Sequence, residues 1–526
     1  AYARDLRCYH RECHGRPVIP VLVPTRATGD LGEQDGVHVA GPDALDALVR
    51  RFAATEPPPP LDRARFLDET AYAPLPTLVQ AARELFERGD LREIRRAKAA
   101  TDPAVEAIAA VAHEAARTRT RHLVLVTGVP GAGKTLVGLR TVHARYLDDL
   151  AVPRAGGKPT VPAVFLSGNG PLVEVLQYQL RSAGGAGKTF VRGVKDYVKQ
   201  YSRSRDATPP EHVLVFDEAQ RAYDADQMRA KHGSAEARSE PHEFIGFADR
   251  IPEWAVVVGL IGTGQEIHVG EEGGVGQWLD AIRESDRSAE WVVHAPRELA
   301  ASLDRRGVRV VEDDALNLTV ELRFHLARHL HEYVAGLLDD TPPDTLPALA
   351  AALQLQGYHL RMTRSLDTAK DYLRERYRDA REARFGIVAS SRDKALERFG
   401  VANDYRATSL VRVGPWYADD EDTYGSRSCR LLDTCVTEFG AQGLELDAAL
   451  VAWGTDFMRE RGRWTNTRAR GYKRGTAVRD PLQLRRNAYR VLLTRGRDVS
   501  VIFVPPLPEL DETYAHLQAA GIKAMT

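Results

Sequence analysis

The stretch Val124-Leu-Val-Thr-Gly128-Val129-Pro130-Gly131-Ala132-Gly133-Lys134-Thr135-Leu136 constrains the fold of this chain more than any other. An apolar run from His122 to Thr127 reads as a buried parallel strand, and the pattern G-x-x-x-x-G-K-T follows it and opens into an apolar-periodic helix. Each residue type has a physical task there. Glycines let backbone N–H groups close around phosphate oxygens, and the helix N-terminus adds a positive dipole. Lys134 can reach the β- and γ-phosphates of a bound nucleotide, and the Thr135 hydroxyl can hold Mg²⁺. A strand, a tight loop and a helix in this order demand an open α/β sheet with the loop at its C-terminal edge.

A second signal fits the same sheet. Val213-Leu-Val-Phe-Asp217-Glu218-Ala-Gln220 puts two carboxylates at the end of a hydrophobic strand. Asp217 can join the Mg²⁺ shell, and Glu218 can orient and deprotonate an attacking water. A second G-K-T at Gly187-Lys188-Thr189 lacks these surroundings. Ser182 stands where the first loop glycine belongs and the residues before it are helical in pattern, so it reads as a loop.

The chain has 526 residues, too many for one compact core. The 72 Lys and Arg nearly cancel the 73 Asp and Glu, so any nucleic-acid surface has to be a local patch. No apolar run is long enough to span a bilayer, and four cysteines fit a reducing cytoplasm. Cys8, His10, Cys13 and His14 would point different ways on a helix and lack a second ligand pair at zinc-site spacing. The sequence opens at Ala1 without a methionine or a signal-peptide pattern, which leads us to expect further chain upstream.

Taken in order, residues 1–14 read as a helix and 17–23 as a strand, followed by a strand at 37–40 and a helix from Pro42. Residues 1–55 therefore form a small N-terminal α/β unit. Glu56-Pro-Pro-Pro-Pro60 is a stiff linker, and 56–118 is otherwise helical. Strands then alternate with helical segments over 119–315, at 161–166, 213–216, 255–261, 291–294 and 308–311. A second alternating block, 316–526, holds a helix from His325 to Leu338, one capped by Ser365, and strands at 358–362, 385–389, 431–436, 448–453 and 499–504. The stretch 459–486 interleaves Arg461, Arg463, Trp464, Arg468, Arg470, Tyr472, Lys473, Arg474 and Arg479, and reads either as a solvated loop or as a nucleic-acid contact.

Together with five further stretches, these motifs resemble the superfamily 1 helicases, over residues of about 120 to 505. Phe165-Leu-Ser167-Gly-Asn169 sits where that family contacts single strands. Gly262-Thr-Gly264-Gln265 sits where a glutamine senses the γ-phosphate. Glu321-Leu-Arg323-Phe resembles the motif whose arginine reaches that phosphate. Phe439-Gly-Ala-Gln442-Gly443-Leu-Glu445 resembles the motif whose glutamate contacts the nucleotide sugar. Tyr489-Arg-Val-Leu-Leu-Thr494-Arg495 resembles the last motif, with Arg495 as an arginine finger supplied in cis. The wording of L-S-G-N-G-P-L, F-D-E-A-Q-R and Y-R-V-L-L-T-R-G is closer still to a bacterial branch with Schlafen-like helicase domains. The resemblance implies an α/β fold of two RecA-like parallel-sheet lobes in tandem, with ATP and Mg²⁺ as cofactors. Ser167, Asn169, Phe439 and Trp464 are then the expected nucleic-acid contacts.

The sequence departs from the family in lacking a glutamine-containing adenine motif upstream of the phosphate loop, and Leu322 stands where the family stacks an aromatic ring. Segments between motifs are short, so ATP hydrolysis is better supported than duplex unwinding. The expected activity is an ATP-driven motor on single-stranded DNA or RNA. The alternatives are a nucleotide-gated switch with a protein partner, as in antiviral defence, and a nuclease–helicase whose nuclease half lies upstream. The latter follows from residues 1–55, which resemble the closing half of a restriction-endonuclease-like fold.

Overall fold

A computed structural model gives the tertiary structure. It describes the chain apart from residues 1–2, 4–5, 8–9, 14–15, 35, 54–58, 69–70, 72–77, 89–94, 129–131, 144, 151–161, 183–189, 203, 205–206, 223–237, 263–274, 304–306, 319–326, 340–344, 423, 473–479 and 526. The chain divides into two compact units, residues 75–324 and residues 1–74 with 325–526. Each contains one large parallel sheet, so the fold is two RecA-like α/β lobes with a small N-terminal α/β element.

In the unit 75–324 the strands are β4 (Arg121–Gly128), β5 (Ala163–Ser167), β6 (Val191–Gly193), β7 (Val213–Asp217), β8 (Ala255–Gly262), β9 (Trp291–Ala295), β10 (Arg309–Glu312) and β11 (Asn317–Leu318). Their sheet order is β10-β9-β4-β8-β7-β5-β6, and β11 extends the pairing of β4. All these pairings are parallel. The strands carry near-continuous apolar runs because helices cover both faces, which gives one core cluster on each side of the sheet. The helix Lys134–Val142 lies so close to the sheet that a Cβ on Gly138 would fall 2.8 Å from Leu260 and from Phe165. Two helices missed by pattern reading, Val194–Tyr201 and Glu240–Arg250, complete this unit; the hydroxyl of Ser239 caps the second by accepting from the His242 N–H.

At the opposite, N-terminal edge of this sheet His122 and His294 stack, with Nδ1 and Nε2 2.8 Å apart, and His122 Nε2 lies 2.8 Å from Thr120 Oγ1. Burial lowers both imidazoles to about 4; the neighbouring His294 and Arg309 add to the shift on His122, which Glu114 opposes, and Arg309 adds to it on His294. The unfolded chain therefore binds more protons than the folded one between pH ~4 and ~6.5. This stability contribution is complete above pH ~6.5 and declines as the pH falls toward 4. Thermal melts at pH 7 and pH 5 are expected to show a drop of several degrees that His294→Gln makes smaller. An equal drop in the variant would remove the pair as its source.

In the other unit the N-terminal strands β1 (Val21–Leu22), β2 (Asp30–Gln34) and β3 (Val37–Ala40) form a small sheet in the order β1-β3-β2. Described residues 3, 6 and 7 are helical and Arg11–Cys13 make a 3-10 turn, in place of a continuous helix over 1–14. Arg7 Nη1 donates to the Leu355 carbonyl at 2.9 Å, which ties this element to the second lobe's sequence. His10 stacks on Phe66, and Cys13 is buried.

The large sheet of this unit contains β12 (His359–Thr363), β13 (Phe385–Ala389), β14 (Cys435–Thr437), β15 (Leu446–Ala452), β18 (Gly496–Phe503) and β19 (Lys523–Ala524), in the order β14-β13-β15-β18-β12-β19. The expected strand at 431–436 starts later, since Cys429–Leu431 form a 3-10 turn and Leu432 takes a left-handed φ of 55° that ends any extended run. Ser365 caps the helix Leu366–Arg376, as its position suggests. The basic stretch forms a hairpin, β16 (Met458–Glu460) and β17 (Arg463–Thr465), with Arg461 and Gly462 at positive φ in its turn. The helix Pro481–Leu493 follows, capped by Asp480.

Candidate functional site

In the unit 75–324, β4 and β7 end on the same edge with β8 between them. The phosphate loop leaves β4 and the two carboxylates leave β7, so the sheet order brings together stretches more than 80 residues apart in sequence. Val129, Pro130 and Gly131 lie outside the described residues. Ala132 is buried, Gly133 takes a φ of 89°, and Lys134 begins the helix, with Leu136 buried behind it. That φ is open to glycine and strained for other residues, which accounts for the third glycine of the loop. Lys134 Nζ donates to the Gly128 carbonyl at 2.6 Å.

Thr135 Oγ1 and Asp217 Oδ1 are 3.4 Å apart. Asp217 is buried, and burial raises its carboxyl to about 7, with the adjacent Glu218 carboxylate adding to the effect; the Ser167 hydroxyl, the Lys134 ammonium and Thr135 act against it. The Thr135 hydroxyl and the Asp217 carboxylate are neighbouring hard oxygen donors of the kind Mg²⁺ prefers, and a carboxyl left short of positive charge suits a cation there.

Glu218 has a φ of 58°, uncommon for a residue with a side chain. Its carboxylate accepts from Gln220 Nε2 at 2.6 Å, and Gln220 Oε1 accepts from the Gly262 N–H at 2.9 Å. Gln220 thus pins Glu218 to the end of β8. The motif alone assigns Gln220 no task; its place two residues after an acid at a strand end is the signal the sequence offers. We expect Gln220→Ala to leave nucleotide affinity within about threefold and to lower kcat about tenfold, because Glu218 loses its orientation. Steady-state kinetics with a separate nucleotide-binding titration check this, and an unchanged kcat would contradict a positioning role.

Ser167 ends β5 and Asn169 follows it on the same edge. Ser167 is 1% exposed and its hydroxyl donates to Asp217 Oδ2 at 3.3 Å. It supports the acid instead of meeting a nucleic acid, since a buried hydroxyl cannot reach a strand. Asn169 is half-buried, and its Oδ1 accepts from the Leu172 N–H at 3.3 Å, at the start of the helix Gly170–Ser182. Gln265 and Arg323 lie outside the described residues, as does Gly187-Lys188-Thr189.

In the unit formed by 1–74 and 325–526, Phe439 follows β14 and is 61% exposed. Gly443 turns the same loop at a φ of 73°. The Glu445 side chain is half-buried and its carbonyl accepts from Tyr417 Oη at 2.7 Å. Arg495 follows the helix Pro481–Leu493. Its Nη1 donates to the carbonyls of Leu444 (3.1 Å) and Ala441 (3.3 Å), and its Nε to that of Val491 (2.9 Å). The guanidinium thus braces the loop that holds Gly443. Trp464 corrects an expectation: it is 4% exposed, lies parallel to Phe457 with centroids 4.5 Å apart and stacks near Trp453. A ring covered in this way has no face for a base, and it anchors the hairpin instead.

A buried polar network includes Glu438, the residue before Phe439. Arg485 Nη1 donates to Ser390 Oγ (2.8 Å), Glu438 Oε1 (3.2 Å) and Asp456 Oδ2 (3.4 Å), while Tyr489 Oη donates to Asp456 Oδ1 (2.8 Å). One arginine therefore ties together the C-terminal ends of β13, β14 and β15. Nothing in the spacing of these residues along the chain announced this network.

A family model described as Schlafen group 3, DNA/RNA helicase domain matches residues 121–506. No curated protein matches the chain. Among solved structures, the arterivirus nonstructural protein 10 helicase in complex with DNA is 13% identical, with 74% of this chain and 62% of that chain covered and a TM-score of 0.25. The Hef helicase domain of Pyrococcus furiosus is 12% identical, with 78% of this chain and 97% of that chain covered and a TM-score of 0.26. The Pif1 helicase from Bacteroides, in complex with ADP-AlF3 and ssDNA, is 11% identical, with 78% and 97% covered and a TM-score of 0.24. The chain spans less than two thirds of the arterivirus protein's length. At these scores the structural likenesses carry no argument about chemistry.

Proposed function

We propose, because the chain belongs to the Schlafen group 3 DNA/RNA helicase family, that it is a Mg²⁺-dependent ATPase that moves along single-stranded nucleic acid, most simply DNA. The observation that carries this reading is the convergence of Lys134, Thr135, Asp217 and Glu218 on one sheet edge, with Gln220 holding the general base in place. Lys134 binds phosphate, Thr135 and Asp217 hold the metal, and Glu218 orients and deprotonates the attacking water. Bound Mg²⁺ would supply neutralisation of phosphate charge. Gly128 to Leu136 form the phosphate cradle, and Gly443 and Glu445 contact the nucleotide as the family resemblance assigns. Gln265 is the sensor, and Arg323 and Arg495 stabilise charge in the transition state, the latter exchanging its present carbonyl partners for phosphate oxygens.

The free, buried Cys13, Cys429 and Cys435 support a reducing, cytoplasmic setting. Among the described residues no helix is long and apolar enough to cross a membrane. The test is ATPase rate with and without single-stranded DNA, single-stranded RNA and duplex at one stated salt concentration. Stimulation by single strands is expected. Hydrolysis indifferent to every nucleic acid would overturn the motor and leave an ATPase with some other load.

A further inference from the structure

Ser167 and Asp217 are the last paired residues of two neighbouring parallel strands, β5 and β7. Residues paired in a parallel register point to the same side of the sheet, and successive residues alternate between sides. Phe165 and Val215, two residues earlier, belong to the core cluster that also holds Leu136, Val137 and Leu139 of the helix Lys134–Val142. Ser167 and Asp217 therefore both face the start of that helix, where Thr135 stands.

Two hydroxyls divide the Asp217 carboxylate between them. Oδ1 accepts from Thr135 Oγ1 at 3.4 Å, and Oδ2 accepts from Ser167 Oγ at 3.3 Å. The Ser167 hydroxyl has little choice of direction. Its oxygen accepts from the Asn169 N–H at 3.2 Å, and a hydroxyl has one proton to give. Ser167 is also buried, which keeps bulk water from competing for that proton.

One carboxylate oxygen is thus committed to the protein, and the other is left for a cation beside Thr135. The kind of cation then matters. Mg²⁺ takes oxygens at about 2.0–2.1 Å in a near-ideal octahedron and keeps several waters, so it needs few protein oxygens. Ca²⁺ takes six to eight oxygens at about 2.3–2.6 Å and gains from both oxygens of one carboxylate. A carboxylate whose second oxygen is held by a serine withholds that extra ligand.

We propose that Ser167 is a positioning residue that sets metal specificity: by holding Asp217 Oδ2 it leaves a single carboxylate oxygen for the cation and favours Mg²⁺ over Ca²⁺. This rests on the Mg²⁺–nucleotide reading above and names what selects the ion. The test is binding of a fluorescent ADP analogue to the full chain, without turnover, titrated with free Mg²⁺ and separately with free Ca²⁺. Wild type, Ser167→Ala, Ser167→Cys and Ser167→Thr are compared, with a thermal melt of each.

Ser167→Ala is expected to lower the ratio of half-saturating Ca²⁺ to half-saturating Mg²⁺ about tenfold, the worth of one hydrogen bond to a charged group. Ser167→Thr keeps the hydroxyl and is expected to keep the wild-type ratio. Ser167→Cys retains the volume with only a weak donor, so it preserves the test if Ser167→Ala does not fold. A purely structural serine would move the melting temperature and leave the ratio in place. A folded Ala or Cys variant with the wild-type ratio therefore overturns the role of Ser167 and leaves the nucleotide reading intact, as does a folded Thr variant that fails to restore the ratio. Wild-type binding that responds to neither ion overturns the metal assignment and the proposal with it.

Discussion

Lys134→Ala is expected to reduce ATP hydrolysis by about a thousandfold or more. Removing a single neutral hydrogen-bond donor from a developing oxyanion costs about 10²–10³ in rate, and Lys134 offers a full charge to a polyphosphate. Lys134 is partly exposed, and its ammonium donates to the Gly128 carbonyl, a bond that water can replace. The melting temperature should therefore stay within a few degrees of wild type while turnover disappears. Phosphate release measured beside a thermal melt separates the two effects, and a folded variant with full activity would refute the assignment of the phosphate loop.

Glu218→Gln is expected to produce a protein that binds ATP and does not turn it over, with kcat lowered by about 10²–10⁴. The exchange is isosteric. An amide oxygen can still accept from Gln220 Nε2, so the positive-φ turn and its link to Gly262 persist. What is lost is the basic carboxylate that takes a proton from water. Single-turnover hydrolysis should be suppressed, while affinity for a fluorescent ATP analogue stays within a few-fold of wild type. Loss of affinity in step with kcat would show that Glu218 binds the nucleotide or the metal and would shift the general base elsewhere. Gln220→Ala should follow the same direction to a smaller extent, since it disturbs the base without removing it.

Much of the candidate site was legible in the linear chain because its pattern is local. A glycine loop, a lysine and a threonine act within one strand–loop–helix unit, and consecutive carboxylates at a strand end announce themselves by the apolar run before them. Strand positions such as 385–389 and 213–216 were legible for the same reason, since strands covered on both faces leave continuous hydrophobic runs. The helices Val194–Tyr201 and Glu240–Arg250 carry apolar residues at i, i+3, i+4 and i+7, so periodicity marks them in the sequence as well.

The status of individual side chains depended on burial, which sequence encodes only through distant neighbours. Trp464 and Phe439 are both aromatic residues beside polar ones. Phe457 and Trp453 cover the first, and the loop after β14 turns the second to solvent. Ser167 looked like a surface contact and proved to be a hydrogen-bond donor to Asp217, because β5 and β7 are neighbours in the sheet.

The sequence by itself determined that this chain has an α/β lobe followed by a second alternating lobe, since periodicity and local motifs suffice for that. Tertiary structure alone decided that residues 1–74 group with 325–526 and that Gln220 holds Glu218. Each of these is a contact between residues brought together by strand order or chain return. Strand order is set by the packing of the whole sheet, and no short stretch of sequence carries it.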